Sequence, residues 1–298
     1  MTMKSLRGPK WKDLNNFTKY FELGNISFQA PKSNPPFPDR GWEMEPDTIP
    51  HNFDLVYSQD IQQRGDVSAL IIHSSSWKYT TTGLLRSYQG HVNMFVELVK
   101  CNDLPVNESI YTKDVFGRVI NSEICNSFLG NKHPKPNVDS FQINSDEWPS
   151  YLCPLNCKTI RVNSRNWLYY DSQPLVDGPT NVIISTPIGH DTYIEVSFTI
   201  VRSTPKSSNA YTTESIVDIS EFSKLVKNII KSIKVSVNNV HEYDLPTLSP
   251  KPEDLKLAPE VLMAWSSRGV SKKRDDIKNS NIEIYENFVG KRASTPVI

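Results

Sequence analysis

The sequence predicts an α+β protein: a mainly antiparallel sheet with an amphipathic helix at about 219–232 packed on one face, plus a C-terminal extension. Three observations carry this. The segment "DTYIEVSFTIVR" puts Ile194, Val196, Phe198 and Ile200 on one face and Tyr193, Glu195, Ser197 and Thr199 on the other, which is the period of a strand. "VDISEFSKLVKNIIKSIKVSV" repeats apolar residues at three-and-four spacing from Ile219 to Ile233, which is the period of a helix with one buried stripe. Other β-like runs stand ahead of both, separated by turn signals.

In chain order, the basic and aromatic start reads as a short helix around Trp11–Leu23. "GNISFQAP" then reads as a strand ending at Pro31. Six prolines between 31 and 50 imply a long irregular loop, because proline removes a backbone donor and fixes φ. Trp42 and Met44 lie within it. "FDLVYS" alternates. "VSALIIHSSSW" has the continuous apolar centre of a strand buried on both sides. "VNMFVELVKC" alternates Met94, Val96 and Leu98 against Phe95, Glu97 and Val99. Residues 108–130 space Ile110, Val115, Val119, Ile120, Ile124 and Phe128 nearer to a helix, a second helical element near 110–128. "NKHPKPN" breaks the chain.

"KTIRVNSRNWLYYD" reads as one strand, or two joined by a bend, and "TNVIISTPI" as another. Gly189 to Asp191 reads as a turn before the Tyr193–Val201 strand, and "STPKSSNAYTT" as a loop. Asp218 and Glu221 have the spacing of a capping box, and Lys231 suits the negative end of the helix dipole. "IKVSV" reads as an edge strand. Past about 245, four prolines mark a linker, and "PEVLMAWSSRG" reads as a short helix. One α+β domain over 1–245 with a proline-rich linker and extension over 246–298 is the preferred division. Two subdomains, 1–137 and 138–245, are the alternative.

The chain has 298 residues, 38% of them hydrophobic, enough to bury a sizeable core. Its 33 basic and 33 acidic residues balance. Nucleic-acid binding is not expected, since a binder carries a basic excess to displace counterions. No apolar run has the length of a signal peptide or a membrane span, so a soluble cytoplasmic protein is expected.

The search for chemistry finds neither phosphate-loop glycine pattern, no G-x-S-x-G elbow, no H-E-x-x-H and no paired Cys-x-x-Cys. No cofactor and no metal are expected. Cys153 and Cys157 have the spacing of a zinc pair without its second half. Buried reduced thiols rank first, a local disulfide second and a metal site third. His73 stands beside Ser74, Ser75 and Ser76, but adjacent strand residues point to opposite faces, and a core histidine ranks above a catalytic one. His190-Asp191 reads as a turn pair. Trp167, Tyr169 and Tyr170 read as core and sheet face. Lys224, Lys227 and Lys231 read as a solvated helix face, with an acidic partner surface as the alternative. With Trp42, they are the candidate partner-binding residues.

The cadence from Trp167 to about Val237 is "NWLYYD", "NVIISTPI", "TYIEVSFTIVR" and "DISEFSKLVKNIIKSIKVSV". It resembles the close of Mog1/PsbP-like α/β domains, a group that includes DcrB-like proteins and chaperones of type VI secretion effectors. It is also similar to bacterial proteins encoded beside secreted toxins, some of them immunity proteins. The resemblance rests on pattern and carries over no functional position. It implies a non-catalytic protein-binding module, possible roles being immunity protein or effector chaperone, with a cognate toxin or effector as partner. The alternative is an enzyme of unrecognised type, hydrolase-like, using His73 or His190.

Overall fold

Alternating side chains become strands over most of the described residues. A computed structural model describes residues 6–36, 61–82, 86–129, 132–136, 143–149, 151–174, 178–203, 216–239, 241–248 and 297. The elements run β1 (Leu6–Arg7), β2 (Leu14–Phe21), β3 (Gly24–Pro31), β4 (Ile61–Arg64), β5 (Val67–Thr81) and β6 (Tyr88–Cys101). Helix α1 (Lys113–Ile124) continues into a π-helical turn, Cys125–Leu129. Then come β7 (Lys132–Pro136), β8 (Ile143–Pro149), β9 (Tyr151–Val162), β10 (Arg165–Pro174), β11 (Thr180–Pro187), β12 (Thr192–Arg202), helix α2 (Ser220–Ser232) and β13 (Lys234–Val237).

Among the described residues, eight strands form one sheet in the order β1-β5-β6-β12-β11-β10-β9, with β4 also paired to β5. Every pairing of these strands is antiparallel. A second sheet has the order β13-β3-β2, and β7 pairs β8 alone. The mainly antiparallel sheet with few helices is therefore as the alternation implies. No described helix is long and apolar enough to cross a membrane.

The two faces of the large sheet feed two apolar clusters. Met94, Val96, Val182, Ile184, Ile194 and Phe198 belong to the first, together with Ile26 and Phe28 of the second sheet. Phe222, Leu225, Val226, Ile229 and Ile230 of α2 are buried in that same cluster. Each such side chain contributes roughly 2 kcal/mol of burial before entropic costs. Val99, Leu168, Tyr170, Ile183 and Tyr193, on the opposite face, join Phe116, Ile120 and Ile124 of α1 in the second cluster.

Three local expectations are corrected. The segment read as a helix around Trp11–Leu23 holds strand β2, paired with β3 from Leu14↔Pro31 to Phe21↔Gly24. The partner strand supplies the hydrogen bonds that a lone helix would have had to make internally. The stretch "NKHPKPN" does not end regular structure, because Lys132–Pro136 is a strand paired to β8. A two-stranded ribbon leaves one edge of each strand free, which is where proline is tolerated. The capping box at Asp218 does not form. The N-cap is Ile219, without a side-chain cap, so the helix begins one residue later than the box requires. Asp218 Oδ1 instead accepts from the Ser220 N–H at 3.1 Å and Oδ2 from Ser220 Oγ at 2.6 Å.

The 158–171 stretch is two strands, turning at Asn163 with φ 52°. The strand read over 53–58, Trp42, and the helix read over 259–269 lie outside the described residues.

Candidate functional site

Glu97 of β6 and Glu195 of β12 stand directly opposite each other in the register of adjacent antiparallel strands. Like charges so placed repel, and both residues are buried, at 3% and 5% exposure. Helix α1 adds a third carboxylate. Its buried stripe runs through Phe116, Ile120, Glu123 and Ile124, so Glu123 occupies a position whose neighbours are apolar.

One cation answers all three. Arg64 ends β4 and leads into the Gly65-Asp66 turn, whose closing pair is Arg64↔Val67. Gly65 holds φ 62°, and a Cβ there would sit 2.0 Å from Asn126 Nδ2 of the π-helical turn. A glycine is thus needed to bring the hairpin against α1's end. Arg64 donates from Nη1 to Glu97 Oε2 at 2.9 Å and from Nη2 to Glu97 Oε1 at 2.6 Å, a bidentate pair. The same Nη1 lies 3.4 Å from Glu123 Oε1 and 4.0 Å from Glu195 Oε1. Tyr193 donates its hydroxyl to Glu123 Oε2 at 2.5 Å, and Ser185 donates to Glu195 Oε2 at 3.3 Å. Glu97 is well served, Glu123 partly, and Glu195 least.

The electrostatics follow that ranking. Burial pushes the Glu195 carboxyl well above the usual carboxylate range, and the charges of Glu123 and Glu97 push it further, against the opposing pull of Arg64 and Ser185. Burial also raises Glu123, with the Tyr193 bond and Arg64 opposing and Glu97 adding to the rise. For Arg64, burial works against the charge, but Glu97, Glu195 and Glu123 together raise its pKa. Glu195 is therefore the carboxyl driven most strongly toward its protonated form.

These groups line a cavity of about 280 Å³. Its lining includes buried Tyr170, Ile183 and Glu195, with exposed Gln62 and half-buried Ser127 toward the surface. Among the described residues no group of three or more His, Cys, Asp or Glu is arranged to hold a metal ion. In this cluster Arg64 already occupies the place between the carboxylates. Cys101, Cys125, Cys153 and Cys157 carry free thiols, and burial pushes the Cys153 thiol well up.

The residues singled out in the sequence lie elsewhere. His73 is on β5, where Nε2 hydrogen-bonds Ser75 Oγ at 2.8 Å. Residues two apart share a strand face, so the serine that meets the imidazole is neither of its immediate neighbours. The rings of Phe17 and Phe28 flank it at 4.8 and 5.1 Å. Burial, with a smaller push from the charge of Lys19, lowers its pKa from 6.5 to about 4.

The unfolded chain thus binds a proton near pH 6.5 that the folded chain refuses until about pH 4. Stability contributed by the neutral His73 is lost as pH falls through that window, by roughly 3 kcal/mol. Urea unfolding at intervals across it should show His73→Gln losing less stability than the parent. Equal acid losses in the two proteins would count against this account.

His190 is exposed and works through its backbone: its carbonyl accepts from Ile110 N at 3.0 Å and Ser109 Oγ at 3.2 Å. The Asp191 carbonyl accepts from Cys101 N at 2.8 Å. The turn ties down the segment that precedes α1. Lys224, Lys227 and Lys231 are exposed on α2. Trp167, Tyr169 and Tyr170 are buried core.

No protein-family model matches the chain, and no curated protein matches it. A protein of Bacteroides thetaiotaomicron VPI-5482, with a crystal structure at 1.50 Å, is similar at 11% identity and a TM-score of 0.21. The match covers 60% of this chain and 48% of that one, about half the length of the other protein. A likeness of that size carries no argument about fold or function.

Proposed function

We propose that the chain is a non-catalytic protein-binding module whose carboxylate-lined cavity receives one cationic side chain of its partner. The observation that supports this is that Glu97, Glu123 and Glu195 share the single guanidinium of Arg64 at the wall of a cavity. Glu195 compensates for the missing counter-charge by holding a proton. An ammonium or guanidinium entering the cavity replaces that proton with a full ion pair in a poorly hydrated place, where such pairs are strong. The volume lies at the lower end of the roughly 300–1,000 Å³ typical of small-molecule sites, which favours one side chain over a large ligand. An immunity protein or effector chaperone is the form we propose for the module, on the resemblance of 167–237 alone. The exposed row Lys224, Lys227 and Lys231 is the second surface we assign to the partner.

We also propose that 1–245 forms one unit with α2 across one face of the large sheet. The pairing of β12 with β6 supports the first part. The stacking of Phe222 on Tyr79, with centroids 4.1 Å apart, supports the second.

The test uses n-butylammonium against n-butanol as probes, followed by backbone amide shifts and calorimetry. The cation is expected to shift Arg64, Glu97, Glu123 and Glu195, to release protons on binding, and to bind about ten-fold more weakly to Glu195→Gln. Affinity should rise with pH as Glu195 gives up its proton. Equal response to the alcohol, or binding unchanged in Glu195→Gln, would sink the proposal.

A further inference from the structure

A second cavity, of about 850 Å³, lies apart from the carboxylate cluster. Its walls come from the start of α1, the β9–β10 turn, β13 and the segment 241–244. Its wall holds a guanidinium with no carboxylate partner among the described residues. Arg165, half-buried at the start of β10, donates from Nε to Thr186 Oγ1 at 2.9 Å and from Nη2 to the Pro187 carbonyl. Its guanidinium carbon lies 5.2 Å from the centroid of the Tyr243 ring. These are neutral partners. Among the described residues no carboxylate pairs with Arg165. The charged groups around it bear this out: burial lowers its pKa, and the phenols of Tyr243 and Tyr111 are what oppose the shift.

Tyr243 is itself fixed, donating its hydroxyl to the Asn166 carbonyl at 2.8 Å. Tyr111 completes an aromatic wall, 4.8 Å from the His241 ring and 6.5 Å from the Tyr243 ring between centroids. Thr112 and Lys113, the N-cap and first residue of α1, reach the same cavity. Thr112 Oγ1 donates to the Ser109 carbonyl at 2.8 Å and does not cap the helix. The N–H groups of the first turn therefore add positive potential to that of Lys113 and Arg165. Glu242 and Asp244 also line the cavity, and both are exposed.

We propose that this cleft binds a small planar-ring compound carrying a carboxylate or phosphate, its oxyanion on Arg165 and Lys113 and its ring against Tyr111, His241 and Tyr243. A half-buried guanidinium without a carboxylate is under-compensated, and an oxyanion supplies bidentate acceptors that its neutral partners do not. The volume falls within the range of small-molecule sites, and aromatic walls beside a few placed polar groups are their usual make-up. The site is separate from the carboxylate cavity, so its fate does not depend on the function proposed above.

The experiment titrates two pairs of probes by calorimetry: adenosine monophosphate with adenosine, and 4-hydroxyphenylacetate with 4-hydroxyphenylethanol. The pairs distinguish a phosphate from a carboxylate as the source of the anion. In at least one pair the anion should bind about ten-fold tighter than its uncharged counterpart. Arg165→Gln should abolish the difference, and Glu195→Gln should leave it intact. Arg165 also holds Thr186 and Pro187, so Lys113→Gln serves if that variant misfolds. It should cut the anion's affinity about three-fold, as added salt should, without touching the uncharged probe. Equal affinity within both pairs, or no binding of either anion, overturns the assignment.

Discussion

Replacing Arg64 with methionine is expected to destabilise the fold by about 3–5 kcal/mol at neutral pH. The Arg64 side chain is 22% exposed and that of Glu97 only 4%, so the pair sits largely out of water. Removing the guanidinium leaves Glu97 with no counter-charge, and it stands directly across from Glu195. The cost should depend on pH. Glu195 and Glu123 have folded pKa values above the unfolded value of 4.5, and losing Arg64 raises them further. Above pH 4.5 the folded state then holds protons that the unfolded state has released. Stability contributed by those protons is present at low pH and lost as pH rises toward the folded pKa values. Urea unfolding at pH 5 and pH 7.5 should therefore show a smaller gap between parent and variant at pH 5. Glu97→Gln added to Arg64→Met should recover part of the loss at pH 7.5. A gap of the same size at both pH values would mean that Arg64 contributes through packing and not through charge.

That cluster was half legible in the sequence. Glu97 lies between Phe95 and Val99 on its face of β6, and Glu195 between Tyr193 and Ser197 on its face of β12. Alternation alone sets both opposite the more apolar face of their strand and does not say what covers them. Helix α1 covers this face through Phe116, Ile120 and Ile124. A glutamate amid aromatic and branched neighbours on a long strand was the available signal, and Glu123 within a helical apolar stripe was another. What no local pattern contains is register. Glu97 faces Glu195 only because β12 runs beside β6 across nearly a hundred intervening residues, and Arg64 arrives from a four-residue strand.

The same distinction separates the elements that were read from those that were not. β6, β12 and α2 announce themselves by a regular side-chain period, and β5 and β11 by a continuous apolar run. β2 spaces Leu14, Phe17, Tyr20 and Phe21 as a helix would, and its identity comes from pairing with β3. His73 illustrates the point at the scale of one contact. The sequence places three serines after it, and strand geometry chooses Ser75, two residues on, as the one that reaches the imidazole. The cleft at Arg165 was not legible at all, since its walls join residues 111–113, 164–166, 235–237 and 241–244.

Phe222→Ala should cost about 3–5 kcal/mol, and it bears directly on the place of α2. Phe222 is fully buried, and its ring stacks on Tyr79 at 4.1 Å. Tyr79 in turn donates its hydroxyl to the Glu221 carbonyl at 3.2 Å, so β5 holds the first turn of the helix from two directions. Truncation removes the ring from this contact and leaves a cavity that Leu225 and Val226, one turn on, are too far along the helix to fill. Lys224 occupies the same turn and is exposed. Its alanine variant should unfold at the same urea concentration as the parent, because its charge faces water. If Phe222→Ala unfolds like the parent too, α2 does not lie across the sheet. If only Phe222→Ala is impaired, Lys224, Lys227 and Lys231 can be replaced together without harming the fold. Any change in partner association, and in its salt dependence, then reports on the lysine face itself.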